Sequence, residues 1–281
     1  MKRRAPRPLP LLIALPWLSG CTEEPNGPAV ALVTVSDLPA EAGQPDGPLW
    51  AFLSGAARAP LAGPGAGPER WDPAQALGSL LTRAALEPAS GAPGRLVLGP
   101  ERHTLFELEA NAGLETASFV TDHAFDEEFG FQQGVFQAHD MAWIEINAEA
   151  SWLATAIEGA RLFLAEKLPR PMEDAPCVWL HLDLSLVEAR GERGANLAQA
   201  LEVLGAELEQ RPDQRLLLVA LPRSPGDLSL LAARGPGLVA GESAPLEPAA
   251  AGQRLLEWIG HADIGGVARP IPTADSPTQR P

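Results

Sequence analysis

The stretch AVALVTVSDLPAE, residues 29–41, decides how the rest of the chain is read. Its first seven residues are apolar apart from Thr34, an unbroken run rather than an alternation of apolar and polar. A strand with one wet face alternates, whereas a continuous run belongs to a strand covered on both faces, as in a parallel sheet flanked by helices. Ser36, Asp37 and Pro39 end the run and place polar groups just beyond its carboxyl end. Similar runs at RLVL (95–98), ETASFVT (115–121), CVWLHLDL (177–184) and RLLLVAL (215–221) repeat the signal. Helical patterns fall around 75–87, 103–113, 149–168, 192–210 and 247–260. Strands alternating with helices predict an α/β fold of three layers, α/β/α, with a mostly parallel central sheet. Ligands bind such sheets beyond the carboxyl ends of the strands, which directs attention to Ser36–Glu41, the loop after Leu184 and Leu221–Asp227.

Composition narrows the function. The chain has 281 residues, 46% of them hydrophobic, enough to build the core of one large α/β domain. Its formal net charge is −15, from 21 basic and 36 acidic residues. Removing residues 1–20 takes away Lys2, Arg3, Arg4 and Arg7, leaving 17 basic against 36 acidic residues, or −19. A body that acidic repels phosphate backbones, which excludes nucleic acid as a partner.

The amino-terminal segment reads as targeting rather than fold. MKRRAPR is a basic region and PLPLLIALPWLSG an apolar one, too short and too rich in proline for a membrane-spanning helix. Leu18-Ser19-Gly20-Cys21 matches the lipobox of bacterial lipoproteins, in which the cysteine is lipidated. Residues 1–20 are therefore expected to be a signal peptide, Cys21 the lipidation site, and 21–28 the lipidated cysteine and its tether. The expected location is the cell envelope, membrane-anchored on the periplasmic or outer-membrane side, with lipid as one partner. Residues 29–265 form the α/β domain, and the Pro-rich GVARPIPTADSPTQRP (266–281) reads as a disordered tail. Cys177, in an apolar run, is expected to be a buried thiol.

Six segments, in order over residues 29–260, resemble sulfatases of the alkaline-phosphatase superfamily. VALVTVSDLPAE resembles the family's first strand and metal loop, and ALGSLLTRAAL (76–86) the helix after the nucleophile. TLFELEANAGLETASFVTDHAFDEEFGFQQGV (104–135) resembles the next helix and strand. CVWLHLDL, LLLVALP and ARGPGLVAG (233–241) resemble a later core strand, the strand before the second metal loop, and an RGPG turn.

The resemblance implies a hydrolase scaffold, and the same alignment removes the chemistry. Sulfatases hold Ca²⁺ with several oxygen ligands and attack with a formylglycine made inside a Cys-x-Pro-x-Arg-type motif. Here the leading aspartate of the metal loop falls on Ser36 and the second on Glu41. Asp37 is adjacent, but neighbouring strand residues face opposite ways. The nucleophile position falls near Pro73, which has no nucleophilic atom, and the motif's proline and basic residue fall on Gln75 and Leu77. The closing metal loop is PRSPGD (222–227), which brings Arg223 to the cation's place and Asp227 late. Asp183 lies near the end of its strand.

The expectation is a membrane-anchored pseudoenzyme, a non-catalytic binding or scaffolding module, with Ser36, Asp37, Glu41, Pro73, Asp183, Arg223 and Asp227 lining a remnant pocket. No cofactor is expected, and the ligand would be a protein or a small anion held by Arg223. The alternative is a diverged Ca²⁺-dependent hydrolase of sulfuric or phosphoric esters using Asp37, Glu41, Asp183 and Asp227. Asp122-His123 and His139-Asp140 could be drawn as a metal site, but adjacent residues rarely chelate one ion and ordinary surface pairs are the better reading. His181, between core residues, reads as a satisfied buried histidine. Tryptophans 143, 152, 179 and 258 read as packing, whereas Trp50 and Trp71, in Gly/Pro loops, suggest a contact surface.

Overall fold

Val30–Ser36 forms β1, and it is buried along its whole length. The computed structural model describes residues 27–62, 72–86, 96–125, 129–140, 152–168 and 175–260. After β1 come α1 (Trp50–Leu53), β2 (Ala57–Pro60), α2 (Pro73–Thr82), α3 (Leu105–Asn111) and β3 (Glu115–Val120). β4 (Gln137–Asp140), α4 (Trp152–Lys167), β5 (Pro176–Asp183), α5 (Arg193–Leu208) and β6 (Arg215–Leu221) follow. β7 (Leu230–Arg234), β8 (Gly241–Glu242) and α6 (Pro248–Ile259) complete the order. Among the described residues the strands make one eight-stranded sheet in the order β4-β3-β5-β1-β6-β7-β2-β8. β1 pairs in parallel with β5 and β6, and β7 is the strand that runs against its neighbours. The mostly parallel sheet of an α/β fold is thus in place.

Alternation along the strands sends side chains to two cores. Val33, Val35, Leu180, Leu182, Leu218 and Ala220 pack with α1, α4 and α5. Val30, Leu32, Trp179, Leu217 and Val219 pack with α2, α3 and α6. In the second layer α2 and α6 come so close that a Cβ at Gly252 would collide with the Leu80 carbonyl.

Strands β1, β3, β5 and β6 and helices α3, α4, α5 and α6 stand close to where the sequence placed them, and some elements do not. Residues 96–98 of the expected strand RLVL lie outside the sheet: Leu96 and Leu98 are buried against Gly78 of α2 while Val97 is 60% exposed. The helix expected over 75–87 stops at Thr82, because Arg83 takes the left-handed conformation at φ 57. Strands β2, β4, β7 and β8 were not anticipated, since they are short, lie towards the edges, and read ARAP, QAHD, LLAAR and GE. Trp50 is not the exposed contact residue expected: it is half-buried in α1, packs on the first core, and lies under Arg58 at 5.5 Å. Residues 1–26 and 261–281, with the expected signal peptide, Cys21, His261 and tail, lie outside the described residues, as do Trp71 and Trp143.

Candidate functional site

Three parallel strands end on one level, and a fourth ends two residues below it. Ser36 of β1 is in register with Asp183 of β5 and with Leu221 of β6, and Val120 of β3 with His181 of β5. On the second face the last positions turn polar, with Thr34, Ser36 and His181 all fully buried. Just past them, the Arg223 guanidinium lies between two carboxylates: Nη2 donates to Asp122 Oδ2, and Nη1 stands 3.3 Å from Asp183 Oδ2. Ser36 Oγ donates to the other oxygen of Asp183 at 3.4 Å, and Thr121 Oγ1 accepts from the Asp183 backbone N–H at 2.8 Å.

The loop carrying Arg223 is itself fixed. The buried carboxylate of Asp227 accepts the backbone N–H groups of Arg223 at 3.0 Å and Ser224 at 2.8 Å, and the Arg190 guanidinium at 2.8 Å. Leu228 and Ala40 join this loop to the one after β1 by backbone hydrogen bonds. Asp37 follows a different course. At φ 63 it leaves the strand in a left-handed turn, and its carboxylate meets Arg193 of α5 at 2.7 Å. The Arg193 side chain is 11% exposed and also donates to the Val187 carbonyl, so this pair belongs to the α5 side.

Below Arg223 sits a polar chain. Trp179 Nε1 can only donate, so Thr34 Oγ1 accepts from it at 2.9 Å, and the same hydroxyl meets His181 Nδ1 at 2.8 Å. His181 Nε2 is buried and has no hydrogen-bond partner, so this histidine is buried, as expected, but only half satisfied. Burial lowers its pKa to about 4 and keeps it neutral; Arg223 adds to that, while Asp122 and Asp183 oppose it.

The expected remnant pocket therefore divides. Ser36, Asp183, Arg223 and Asp227 come together, and Asp122 joins them. Asp37 is drawn off to Arg193, and Glu41 is exposed in the turn after β1. Pro73 is the first residue of α2, with the Asp72 carboxylate accepting the Ala74 N–H. It is a helix start, which explains its residue type without any chemistry. The carboxylates of the alternative hydrolase, Asp37, Glu41, Asp183 and Asp227, do not form one cluster: three of them face three different arginines. Asp122 was considered only beside His123, and its position two residues past the end of β3 was the signal that could have found it. His139 stacks on Phe119 at 4.7 Å instead of joining Asp122.

A divalent cation does not fit this arrangement. It needs several free oxygen ligands, and the oxygens of Asp122 and Asp183 already face a fixed positive charge. Among the described residues no group of three or more His, Cys, Asp or Glu is placed to hold a metal ion. The cavity of about 330 Å³ lined by Gly205, Leu208, Gln214, Leu216, Arg234 and Pro236 lies at the opposite end of the sheet, away from these residues.

Comparison with solved structures identifies the fold. The chain resembles a protein of the alkaline phosphatase superfamily from Vibrio parahaemolyticus, with TM-score 0.61 and 11% identity over 85% of this chain and 68% of that one. A 2-O glycosaminoglycan sulfatase is similar with TM-score 0.59 and 11% identity, over 83% of this chain and 71% of that one. The lipoteichoic acid synthase LtaP of Listeria monocytogenes is similar at 0.59 and 11%, over 84% and 72%. No protein-family model and no curated protein sequence matches the chain. The fold is that of the sulfatases and other members of the alkaline phosphatase superfamily.

Proposed function

We propose that this chain uses a sulfatase-type fold as a membrane-anchored pseudoenzyme, a non-catalytic binding or scaffolding module held by a lipidated Cys21. One observation carries the reading: Arg223 lies between Asp122 and Asp183 at the strand ends, where the resemblance places the metal. A guanidinium balances the carboxylates' charge, but it has no open coordination position and cannot lower the pKa of a bound oxygen as a metal does. Pro73 at the nucleophile position supports the same reading, because a covalent step needs an attacking atom. A small anion would compete with Asp122 and Asp183 for Arg223, and Arg190 and Arg193 are already engaged by Asp227 and Asp37. That favours a protein as the partner.

One contact favours the second reading, a diverged metal-dependent hydrolase of sulfuric or phosphoric esters. The Ser36 hydroxyl donates to Asp183, as a nucleophile would to a base. The test takes purified residues 22–281 and measures metal content, melting temperature with and without chelator or Ca²⁺, and turnover of aryl sulfates and phosphates. No bound ion, no calcium-dependent shift and no turnover are expected. Ester turnover lost on Ser36→Ala would replace the first reading with the second.

A further inference from the structure

The chain enters the fold at the foot of its central strand. Ala29 is fully buried, its carbonyl accepts the Arg215 N–H at 2.7 Å, and β1 starts at Val30. Three strands lie on one side of β1 and four on the other, so the entry point is in the middle of the sheet's amino-terminal end. The arginine–aspartate site lies at the carboxyl-terminal end of the same strands.

The two most exposed large apolar residues among the described residues also lie at the amino-terminal end, on either side of that entry. Phe136 is 80% exposed and precedes edge strand β4; its N–H donates to the Thr116 carbonyl, on the register row shared with Cys177 and Val30. Val239 is 84% exposed in the turn after β7, whose last residue, Arg234, pairs with Leu216 near the start of β6. The opposite end is acidic: Asp37, Asp122, Asp183 and Asp227 outnumber Arg190, Arg193 and Arg223 before the exposed Glu41, Glu188 and Glu192 are added.

We propose that the amino-terminal end of the sheet is a lipid-facing surface, with Phe136 and Val239 in contact with the bilayer, and that the arginine–aspartate site points away from the membrane. The proposal rests on the anchor at Cys21 and goes beyond it. Seven residues lie between Cys21 and Ala29, making eight Cα-to-Cα steps. In any conformation they span no more than about 28 Å. Turning the site towards the lipid would take the tether past a helix layer, about 15 Å, and then along the strands, about 23 Å, a path of about 38 Å. The inverted orientation is out of reach. In the upright one the exposed Phe and Val enter the interfacial region, where apolar side chains are favoured. The acidic end is then kept from the surface of anionic lipids.

The experiment uses the full chain acylated at Cys21, bound to vesicles of phosphatidylethanolamine and phosphatidylglycerol. An environment-sensitive fluorophore is attached at Val239→Cys in one sample and at Leu186→Cys, beside the site, in another. Cys177 is fully buried with its thiol pKa raised by burial, so it does not take the label. Lipids carrying nitroxide headgroups should quench the label at 239 several-fold more than the label at 186. Equal quenching, or stronger quenching at 186, on protein that floats with the vesicles overturns the proposed orientation. Flotation that is unchanged by Cys21→Ser instead removes the anchor itself, and the two failures are read separately.

Discussion

The two faces of the sheet are built from the same strands and end differently. Towards α4 and α5 the core is apolar to its last residue, with Val35, Leu182, Leu184 and Ala220. Towards α2, α3 and α6 it is apolar at the foot, with Val30, Leu32 and Trp179, and polar at the top, with Thr34, Ser36, His181 and Asp183. The first face shows that neighbouring strand positions can be filled with aliphatic residues. The polar top of the second face is therefore not a requirement of the fold, and its place is where this class of sheet carries its sites. At that polar end Arg223 lies between Asp122 and Asp183.

The largest effect should come from making the faces alike. Leu182 is 1% exposed, and Leu182→Asn puts an amide among aliphatic side chains with no partner. The combined loss of apolar contact and of amide hydration should destabilise the fold by about 4 kcal/mol, read from the urea midpoint. If the variant unfolds no more easily than the wild type, the two faces do not differ in the way described.

Arg223 comes next. Arg223→Ala leaves Asp122 and Asp183 facing one another without their cation, and both are largely buried. Removing one member of a buried pair is costly, and because the Arg223 side chain is 31% exposed the loss should be about 2 to 3 kcal/mol. The sharper measurement is calcium dependence. With the guanidinium gone the two carboxylates are free to bind a cation, so the variant's melting temperature should rise with Ca²⁺ while the wild type's does not. A variant that is destabilised but indifferent to Ca²⁺ would mean Arg223 is a structural ion-pair partner only.

How much of this could be read in advance depended on how local each signal was. The buried strands β1, β3, β5 and β6 declared themselves as apolar runs, and the Thr104–Glu107 capping box marks where α3 begins. The lateral strands did not, because ARAP and GE carry no pattern of their own and pair only because β7 and β2 lie beside them. Arg223 and Asp227 could be located from the end of β6. Their partners could not, since contacts such as Arg223–Asp122 and Arg193–Asp37 join residues more than 100 positions apart. The side taken by Asp37 was legible, because alternation sends it to the face opposite Ser36, but its left-handed turn was not, since aspartate fits either conformation.

The smallest predicted effect concerns two ionisable groups buried in the second core layer. His181 lies at its polar end. Burial raises the pKa of Cys177, near the foot of β5, and Glu109 of α3 adds to that. Burial makes both neutral, lowering His181 to about 4 and raising Glu109 to about 8. Their effects on stability have opposite signs. The unfolded chain protonates its histidine below about 6.5, while native His181 stays neutral to about 4. Its contribution is therefore complete above pH 6.5 and lost as pH falls towards 4. The unfolded chain ionises its glutamate above about 4.5, while native Glu109 keeps its proton to about 8, so its contribution is complete below pH 4.5 and lost as pH rises towards 8. Between 4.5 and 6.5 the two slopes oppose each other. Between 6.5 and 8 Glu109 acts alone, and it should cost about 1 to 2 kcal/mol over that interval, one proton being worth about 1.4 kcal/mol per pH unit. Glu109→Gln should remove the decline on the alkaline side, and His181→Leu should remove the loss on the acid side. Each is measured as the difference between variant and wild type, so the remaining titrating groups cancel. If Glu109→Gln follows the wild type's melting temperature from pH 6.5 to 8, the glutamate is not held neutral, and the foot of this layer is less dry than its apolar lining implies.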